Sequence, residues 1–576
     1  QPQSVVSGVV SIDRNADGLR AASSPALPGA TLQLYREAGG TATTCCTSDV
    51  LVGTATSAAD GSFTFSGLNS KASTGIVYYL RQSAIPSGYS FTAVVKGTGT
   101  TVVTTPLTNQ EVKITFTTAG TSANNYVLDT RDDNVSISGV VYEDRNADGI
   151  NQTSTALSGA TLTVYLDDPA SGTVGSLDAA DTQVYAYTGS ARTATATSAS
   201  DGTFTFSKLP TGTYFVVETD KASPAYSSTN TIVVGSGTDA TAEVPAGLTG
   251  TSLNNQFRVV ASATGATSPT LQFLDTRDDG ATISGTVYLD QNSDGLNQTN
   301  TIFTAGAKVE IYLDQATSTT VGSLDVDGTD TLLYAKVNGT STRAASWVTG
   351  SNGTFSFSGL PTGTLFVVQT PPSQADATCT LGVDCYAQTG VVLGTGSGTS
   401  QANPAPTSSV LSPARQVLKV TITGTNGVSN TGNQFLNARD DGMVVAGSIY
   451  DDRNSTGAFD AGDLGLNGSV VKVYKDQTTL GAWDGTLGEY QMKAAAGVSI
   501  TNASANFSFA QLPEAIYWVT VTVPANYVRT GADLGPYATL DAASTNTLRI
   551  WKVDLRYATN GAYNLTSTSK FFSALG

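Results

Sequence analysis

Alternating oxygen side chains ending in glycine recur along this chain. They stand at Asp13-Arg-Asn15-Ala-Asp17-Gly18, Asp144-Arg-Asn146-Ala-Asp148-Gly149 and Asp290-Gln-Asn292-Ser-Asp294-Gly295. A looser fourth copy reads Asp452-Arg-Asn454-Ser-Thr456-Gly457, with Asp460 and Asp463 following it. Carboxylate, carboxamide and carboxylate at positions 1, 3 and 5, with glycine at the sharp turn, form the first half of a calcium loop. The chemistry expected of them is Ca2+ ligation.

An alternating strand precedes each loop, as in Val135-Ser-Ile-Ser-Gly-Val-Val-Tyr142. The first aspartates lie 131, 146 and 162 residues apart, about one ordinary domain each. A chain of 576 residues exceeds a single core. The expected architecture is all-β, with four tandem Ig-like β-sandwich domains forming an elongated rod. Their boundaries are 1–133, 134–279, 280–441 and 442–576, the last being divergent and carrying a C-terminal tail.

Module 2 shows the script. After the loop come a turn and the strand Leu157-Ser-Gly-Ala-Thr-Leu-Thr-Val-Tyr-Leu166. Then follow Asp201-Gly-Thr-Phe-Thr-Phe206, Leu209-Pro-Thr-Gly-Thr-Tyr214 and the late strands near Asn254 and Leu271. Short strands joined by Gly, Asp and Pro turns build a sandwich. The paired phenylalanines, Phe63 and Phe65, Phe204 and Phe206, Phe355 and Phe357, Phe507 and Phe509, read as core.

Composition narrows the function. The net charge is −17, and no basic stripe is present, which argues against nucleic acid as a partner. No apolar run of about 18 residues is present, so no membrane span is expected. The chain has no histidine, the commonest general base, and no phosphate loop or nucleophile elbow. Paired acids do occur, but in four repeats, where a catalytic pair is not expected. The chain is read as not an enzyme. Four cysteines include the adjacent Cys45 and Cys46 and the closely spaced Cys379 and Cys385, and an even count fits an oxidising compartment.

The ordered set strand, Asp-x-Asn-x-Asp-Gly, Leu-x-Gly-Ala-x-Leu-x-Val-Tyr, Asp-Gly-x-Phe-x-Phe, Leu-Pro-x-Gly-x-Tyr resembles the B-type repeats of serine-aspartate-repeat surface proteins, relatives of collagen-adhesin B domains. The resemblance implies calcium-binding, transthyretin-like sandwiches set in tandem on bacterial surfaces. The usual loop ends in an acid at position 12, where this chain has Ser24, Thr155 and Thr301. Only the fourth module keeps acids there, Asp460 at position 9 and Asp463 at position 12. Some related domains carry a Lys–Asn isopeptide bond helped by a buried acid. Glu218 matches that acid, but the opening strands lack the lysine, so no such bond is expected.

Calcium needs six to eight oxygens, so further donors are required. The junction acids Asp132 and Asp133, Asp278 and Asp279, and Asp440 and Asp441 stand one strand before the loops of modules 2, 3 and 4. They either bridge junction and loop through calcium, or cap turns and pair with Arg131, Arg277 and Arg439. A second acidic group comprises Asp167, Asp168, Asp178 and Asp181, then Asp314, Asp325, Asp327 and Asp330. It is either a further calcium site or a solvated acidic hairpin.

Two readings follow. One is a secreted structural subunit of a filament, sheath or surface layer, assembled head-to-tail with itself. The other is an adhesin stalk with a cell-surface or matrix ligand. The first module lacks a preceding Asp-Asp junction, and the last ends in Phe571-Phe-Ser-Ala-Leu575, so each end is expected to supply what the other lacks. That tail either adds to a neighbour's sheet edge or completes its own core.

Overall fold

Alternation in sequence becomes alternation in burial. Along Val135–Glu143, Val135, Ile137, Gly139 and Val141 point inward while Ser136, Ser138 and Val140 are half-buried. The same pattern holds in Ser4–Ile12, Ala281–Leu289 and Met443–Asp451. The computed structural model describes residues 3–38, 45–71, 74–97, 102–107, 111–168, 173–245, 255–304, 306–315, 321–325, 330–372, 385–396, 398–402, 417–423, 427–486, 489–492, 497–500, 505–534, 538–545, 548–556 and 567–575. Every regular element among them is a strand, as expected. No helix among them is long and apolar enough to cross a membrane.

Each module contributes two sheets around its own core. In module 2 the first sheet sets Thr203–Leu209, the opening strand Val135–Glu143, the closing strand Thr270–Arg277 and Tyr226–Val234 side by side. The second runs through Thr161–Leu166, Gly212–Thr219, Gln256–Ala261 and Ala240–Glu243. Side chains from both sheets, among them Ile137, Phe204, Phe206, Leu162, Val216 and Phe257, form one core. Equivalent cores fill the other three modules. The chain divides into two compact units, Gln1–Arg277 and Asp278–Gly576, each holding two sandwiches.

Two repeated motifs acquire physical reasons. The glycine of the opening strand stands against the closing strand: a Cβ at Gly139 would lie 2.3 Å from the Leu271 carbonyl oxygen, and one at Gly285 would lie 2.3 Å from that of Asn433. The tyrosine four residues after the Leu-Pro pair is buried, and its hydroxyl donates back to the proline carbonyl, Tyr214 to Pro210 at 2.6 Å and Tyr517 to Pro513 at 2.5 Å. Burying the ring while bonding its polar end avoids an unsatisfied hydroxyl.

Opening and closing strands pair in parallel. Ile12 lies opposite Asp129, Glu143 opposite Asp275, Leu289 opposite Asn437 and Asp451 opposite Ser573. Both strands therefore finish at the same end of the sandwich, which is the end carrying the Asp-x-Asn loop. The closing strand of module 4 is Ser567–Leu575, and it pairs with Met443–Asp451 and Tyr527–Asp533 of its own sandwich. Phe571 is buried in that core. This corrects the strand-donor reading of the tail: its backbone groups and its aromatic ring are already used at home.

Candidate metal centres

The four loops share one backbone path. Position 4 is left-handed at Ala16, Ala147, Ser293 and Ser455, and so is the glycine at position 6 in each copy. This turn aims backbone N–H groups at the first aspartate. Gly18 donates to Asp13 at 2.9 Å, Gly149 to Asp144 at 2.8 Å, Gly295 to Asp290 at 2.8 Å and Gly457 to Asp452 at 2.8 Å. A threonine from the neighbouring strand adds a second donor, Thr229 to Asp144 at 2.6 Å and Thr389 to Asp290 at 2.7 Å. All four first aspartates are buried.

The remaining loop residues gather around them. Asn15, Asn146 and Asn292 donate to Asp17, Asp148 and Asp294 at 2.8–2.9 Å. Asn454 donates to Asp460, and Asp463 accepts the Asp460 N–H at 3.1 Å. Burial pushes the Asp13 carboxyl above its usual range, and the Asp17 charge adds to this. At Asp452 burial works against ionisation, but donors from Thr530, Gly457, Thr456 and Ser455 outweigh it and hold the group low.

Whether a cation fits is decided by oxygens without a donor. Asp13 Oδ1, Asn292 Oδ1 and Asp463 Oδ1 are buried and accept no hydrogen bond, so modules 1, 3 and 4 each keep an oxygen suited to a hard cation. In module 2 both Asp144 oxygens are already met, Oδ1 by the Ala147 N–H at 2.9 Å and Oδ2 by Gly149 and Thr229. Its loop therefore closes on its own hydrogen bonds. The residues at position 12 stay local, with Ser24 accepting from the Ala21 N–H at 3.1 Å.

The junction acids do not join the loops that follow them. Asp133 precedes and Asp144 succeeds the nine residues of Val135–Glu143, so they lie about 30 Å apart at ~3.3 Å per residue. Asp133 instead accepts from Arg131 at 2.7 Å and from the Thr211 N–H at 2.8 Å. Burial opposes its charge, yet Arg131 and Thr211 hold the carboxyl below its usual value. Asp441 accepts from Arg439 at 2.7 Å and the Glu514 N–H at 2.8 Å. Asp279 accepts the Thr362 N–H at 2.7 Å, and Asp278 meets Lys336 at 2.9 Å and Arg343 at 3.3 Å. Asp132 and Asp440 each cap the turn two residues on, at 2.9 Å. Parallel pairing of the end strands places the junctions at Asp132 and Asp440 beside the loops of modules 1 and 3, the modules they close.

That end of module 1 meets module 2 through residues not singled out in the sequence. The Tyr185 N–H donates to the Asn15 carbonyl at 2.7 Å, directly onto the loop. Arg192 donates to Ser90 at 2.7 Å and to the Tyr185 carbonyl at 3.1 Å, in the field of Asp132 and Asp13. Burial pushes its guanidinium below the usual range, against which those charges act. The only cue in the sequence is the longer turn between the second strand and the Phe-x-Phe strand. R192A is expected to cost about 1–3 kcal/mol and to split the unfolding of modules 1 and 2 into separate calorimetric transitions. An unchanged thermogram would exclude this contact as a clamp.

The cysteines lie elsewhere. Cys45 and Cys46 are joined to each other, and their sulfurs lie within 4.8 Å of an Asp49 carboxylate oxygen. Cys385 is disulfide-bonded, while Cys379 falls outside the described residues.

Residues 148–244 match the family model described as SpaA, a prealbumin-like fold domain. No curated protein matches the chain. Among solved structures, the TIE protein of Bacillus anthracis aligns at 12% identity and TM-score 0.23, covering 100% of this chain and 74% of that one. The shaft pilin SpaA of Lactobacillus rhamnosus GG aligns at 15% identity and TM-score 0.17, covering 48% and 98%. A streptococcal ancillary pilin aligns at 11% identity and TM-score 0.22, covering 76% and 98%. The chain is a tandem array of β-sandwiches, and its second module carries the prealbumin-like fold.

Proposed function

We infer that this chain is an extracellular structural protein, a subunit of a filament, sheath or surface layer. The observation that carries the reading is the junction between modules 1 and 2. There the loop of one sandwich is bonded directly to the next, Tyr185 N–H to Asn15 carbonyl, with no linker between them. Sandwiches joined in this way transmit load without hinging. The match of residues 148–244 to the SpaA domain model supports a surface-protein module.

Calcium is the stiffening cation in this reading. When bound it would supply positive charge and oxygen coordination at the loop end of a module. Asp13, Asn15 and Asp17 would hold it in module 1, Asp290, Asn292 and Asp294 in module 3, and Asp452, Asn454, Asp460 and Asp463 in module 4. Module 2, with Asp144, Asn146 and Asp148, is the weakest of the four, because none of these loop oxygens is left buried without a donor. A second copy docking on the loop end of module 4 would repeat the internal junction head-to-tail. A heterologous contact that does not close on itself propagates as a filament.

Negative-stain microscopy of the purified chain, with calcium and after EGTA, tests the proposal. Ordered fibres that loosen in EGTA are expected. Isolated particles unchanged by EGTA would overturn it and favour the adhesin stalk.

A further inference from the structure

Module 4 buries a positive charge that no acid of its own meets. Arg549 stands in the strand Leu548–Asp554 and is 3% exposed. Its Nε and Nη2 are buried and find no acceptor. Side chains two apart along a strand share a face. Arg549 therefore points to the same side as Trp551 and Val553, which belong to the core. The Trp551 Nε1–H is buried there without an acceptor as well.

Comparison of the modules shows what is missing at this place. Glu218 lies four residues after Tyr214, and Val521 lies four residues after Tyr517, the two tyrosines that bond back to proline. Asp275 is paired with the last residue of its opening strand, Glu143, and Ser573 likewise with Asp451. The buried acids Glu218 and Asp275 of module 2 thus become Val521 and Ser573 in module 4. Gln82 and Asp129 hold these positions in module 1, and Gln369 and Asn437 in module 3. Module 4 has lost both the acid and the amide. Arg549 is the direct cross-strand neighbour of Val521.

Nothing else in the module makes good the loss. The aspartates and glutamates of residues 442–576 all fall among the described residues, and none pairs with Arg549. Asp451 is bridged to Arg453 and Asp554 to Arg556. Burial pushes the Arg549 guanidinium below its usual range, and the like charge of Arg529 pushes the same way. Arg529 is exposed and lies opposite Ser573 on the neighbouring strand. A buried cation without a partner is strongly unfavourable. Guanidinium and indole N–H groups only donate, so the group that relieves them must accept and be negative.

The free edge of Arg549 narrows the choice. Nε and Nη2 present two parallel N–H bonds. Seven residues on, Arg556 grips Asp554 with these same two atoms, Nε to Oδ1 at 3.0 Å and Nη2 to Oδ2 at 2.7 Å. A planar group with two oxygens on one side matches that edge.

We propose that Arg549, with Trp551 beside it and Arg529 nearby, is a binding site for a carboxylate that module 4 does not itself supply. The site lies at the end of the sandwich that carries the Asp-x-Asn loop, where the Asp452 N–H donates to the Ser573 carbonyl at 2.9 Å. A free small carboxylate and an acid of a second copy docked on that end offer the same chemistry. The site does not depend on head-to-tail assembly or on calcium in the loop.

The indole N–H resonances of the full chain test this. The chain has four tryptophans, and W551F identifies the signal of Trp551. Formate is the probe, at constant ionic strength and compared with chloride. A saturable shift of the Trp551 signal is expected with formate and not with chloride. R549Q should weaken formate binding at least ~10-fold, the loss of a charged hydrogen-bonded pair. R549K, which keeps the charge without the two-donor edge, should weaken it as well. Concentrating the chain without formate separates the sources. A Trp551 shift that grows with chain concentration and is lost in R549Q assigns the carboxylate to a second copy. A formate response without that concentration dependence assigns the site to a free carboxylate. A wild-type Trp551 signal indifferent to both formate and chain concentration would overturn the proposal even if a variant misfolds. An equal response to chloride, or full formate affinity in R549Q, would do the same.

Discussion

Removal of residues 567–575 is expected to unfold the fourth sandwich rather than to leave it folded and unable to assemble. That strand lies between Met443–Asp451, which it meets in parallel, and Tyr527–Asp533, which it meets antiparallel. Deleting it leaves both neighbours with unpaired backbone groups in the middle of a sheet. It also withdraws Phe571, which packs 3.8 Å from the Trp551 ring and 6.2 Å from that of Phe507. The milder F571A should cost about 3–5 kcal/mol, a large share of the roughly 5–15 kcal/mol that holds a domain together. Calorimetry should show one transition lost in the truncated chain. Near-ultraviolet circular dichroism from the buried Trp518 and Trp551 should collapse with it. A truncated chain with every transition intact would show that the strand is dispensable and free to serve a neighbour.

The strands were legible because burial has a period. Val135, Ile137 and Val141 alternate with serines, and the paired phenylalanines mark a half-buried strand in all four modules. The Asp-x-Asn loops were legible because their ligands are close in sequence. What periodicity does not carry is which strands are neighbours. The parallel pairing of Val135–Glu143 with Thr270–Arg277 joins residues more than a hundred positions apart, and it alone decides which loop a junction faces. Reading Asp133 as a partner of Asp144 used proximity in sequence where an extended strand keeps them apart. Arg192 and Tyr185 escaped notice for the same reason, since their partners belong to another sandwich. Glu218 was noticed, but its neighbour was not: Asp275, on the closing strand, faces it.

That neighbour makes the second sandwich sensitive to pH in an uncommon direction. Glu218 is 2% exposed and Asp275 fully buried. Burial raises both, and the Asp275 carboxylate, with Asp220 beyond it, pushes Glu218 well above the carboxylate range, so Glu218 keeps its proton and donates it. Asp275 is raised to about 6, chiefly by burial, with Asp220 and Asp144 adding and Glu218 and Ser228 opposing. Ser228 bonds both Asp275, at 3.0 Å, and Asp220, at 2.8 Å. Module 1 has Gln82 donating to Asp129 at 2.7 Å, and burial raises Asp129 to about 6. Module 3 has the uncharged Gln369 and Asn437 in these places. A carboxyl raised on folding takes up a proton on folding, so its stabilisation is complete below the unfolded value near 4 and is lost as pH rises through 6. Modules 1 and 2 should therefore weaken between pH 4 and pH 7, by roughly 2–3 kcal/mol at Asp129 from a shift of about two units. Below pH 4 the opposite set takes over, because Asp133 and Asp278 are held low by their cationic partners and lose those pairs when protonated. Denaturant unfolding of D129N and E218Q isolates the effect: D129N should gain stability at pH 7 and little at pH 4, flattening the profile of module 1. E218Q should reduce the slope for module 2, where Asp275 remains, while N437D in module 3 should add a dependence at a position where Gln369 and Asn437 carry no charge. A D129N profile parallel to wild type from pH 4 to pH 7 would show that Asp129 is charged in the folded protein throughout, and that the buried pairs are structural without being proton-linked.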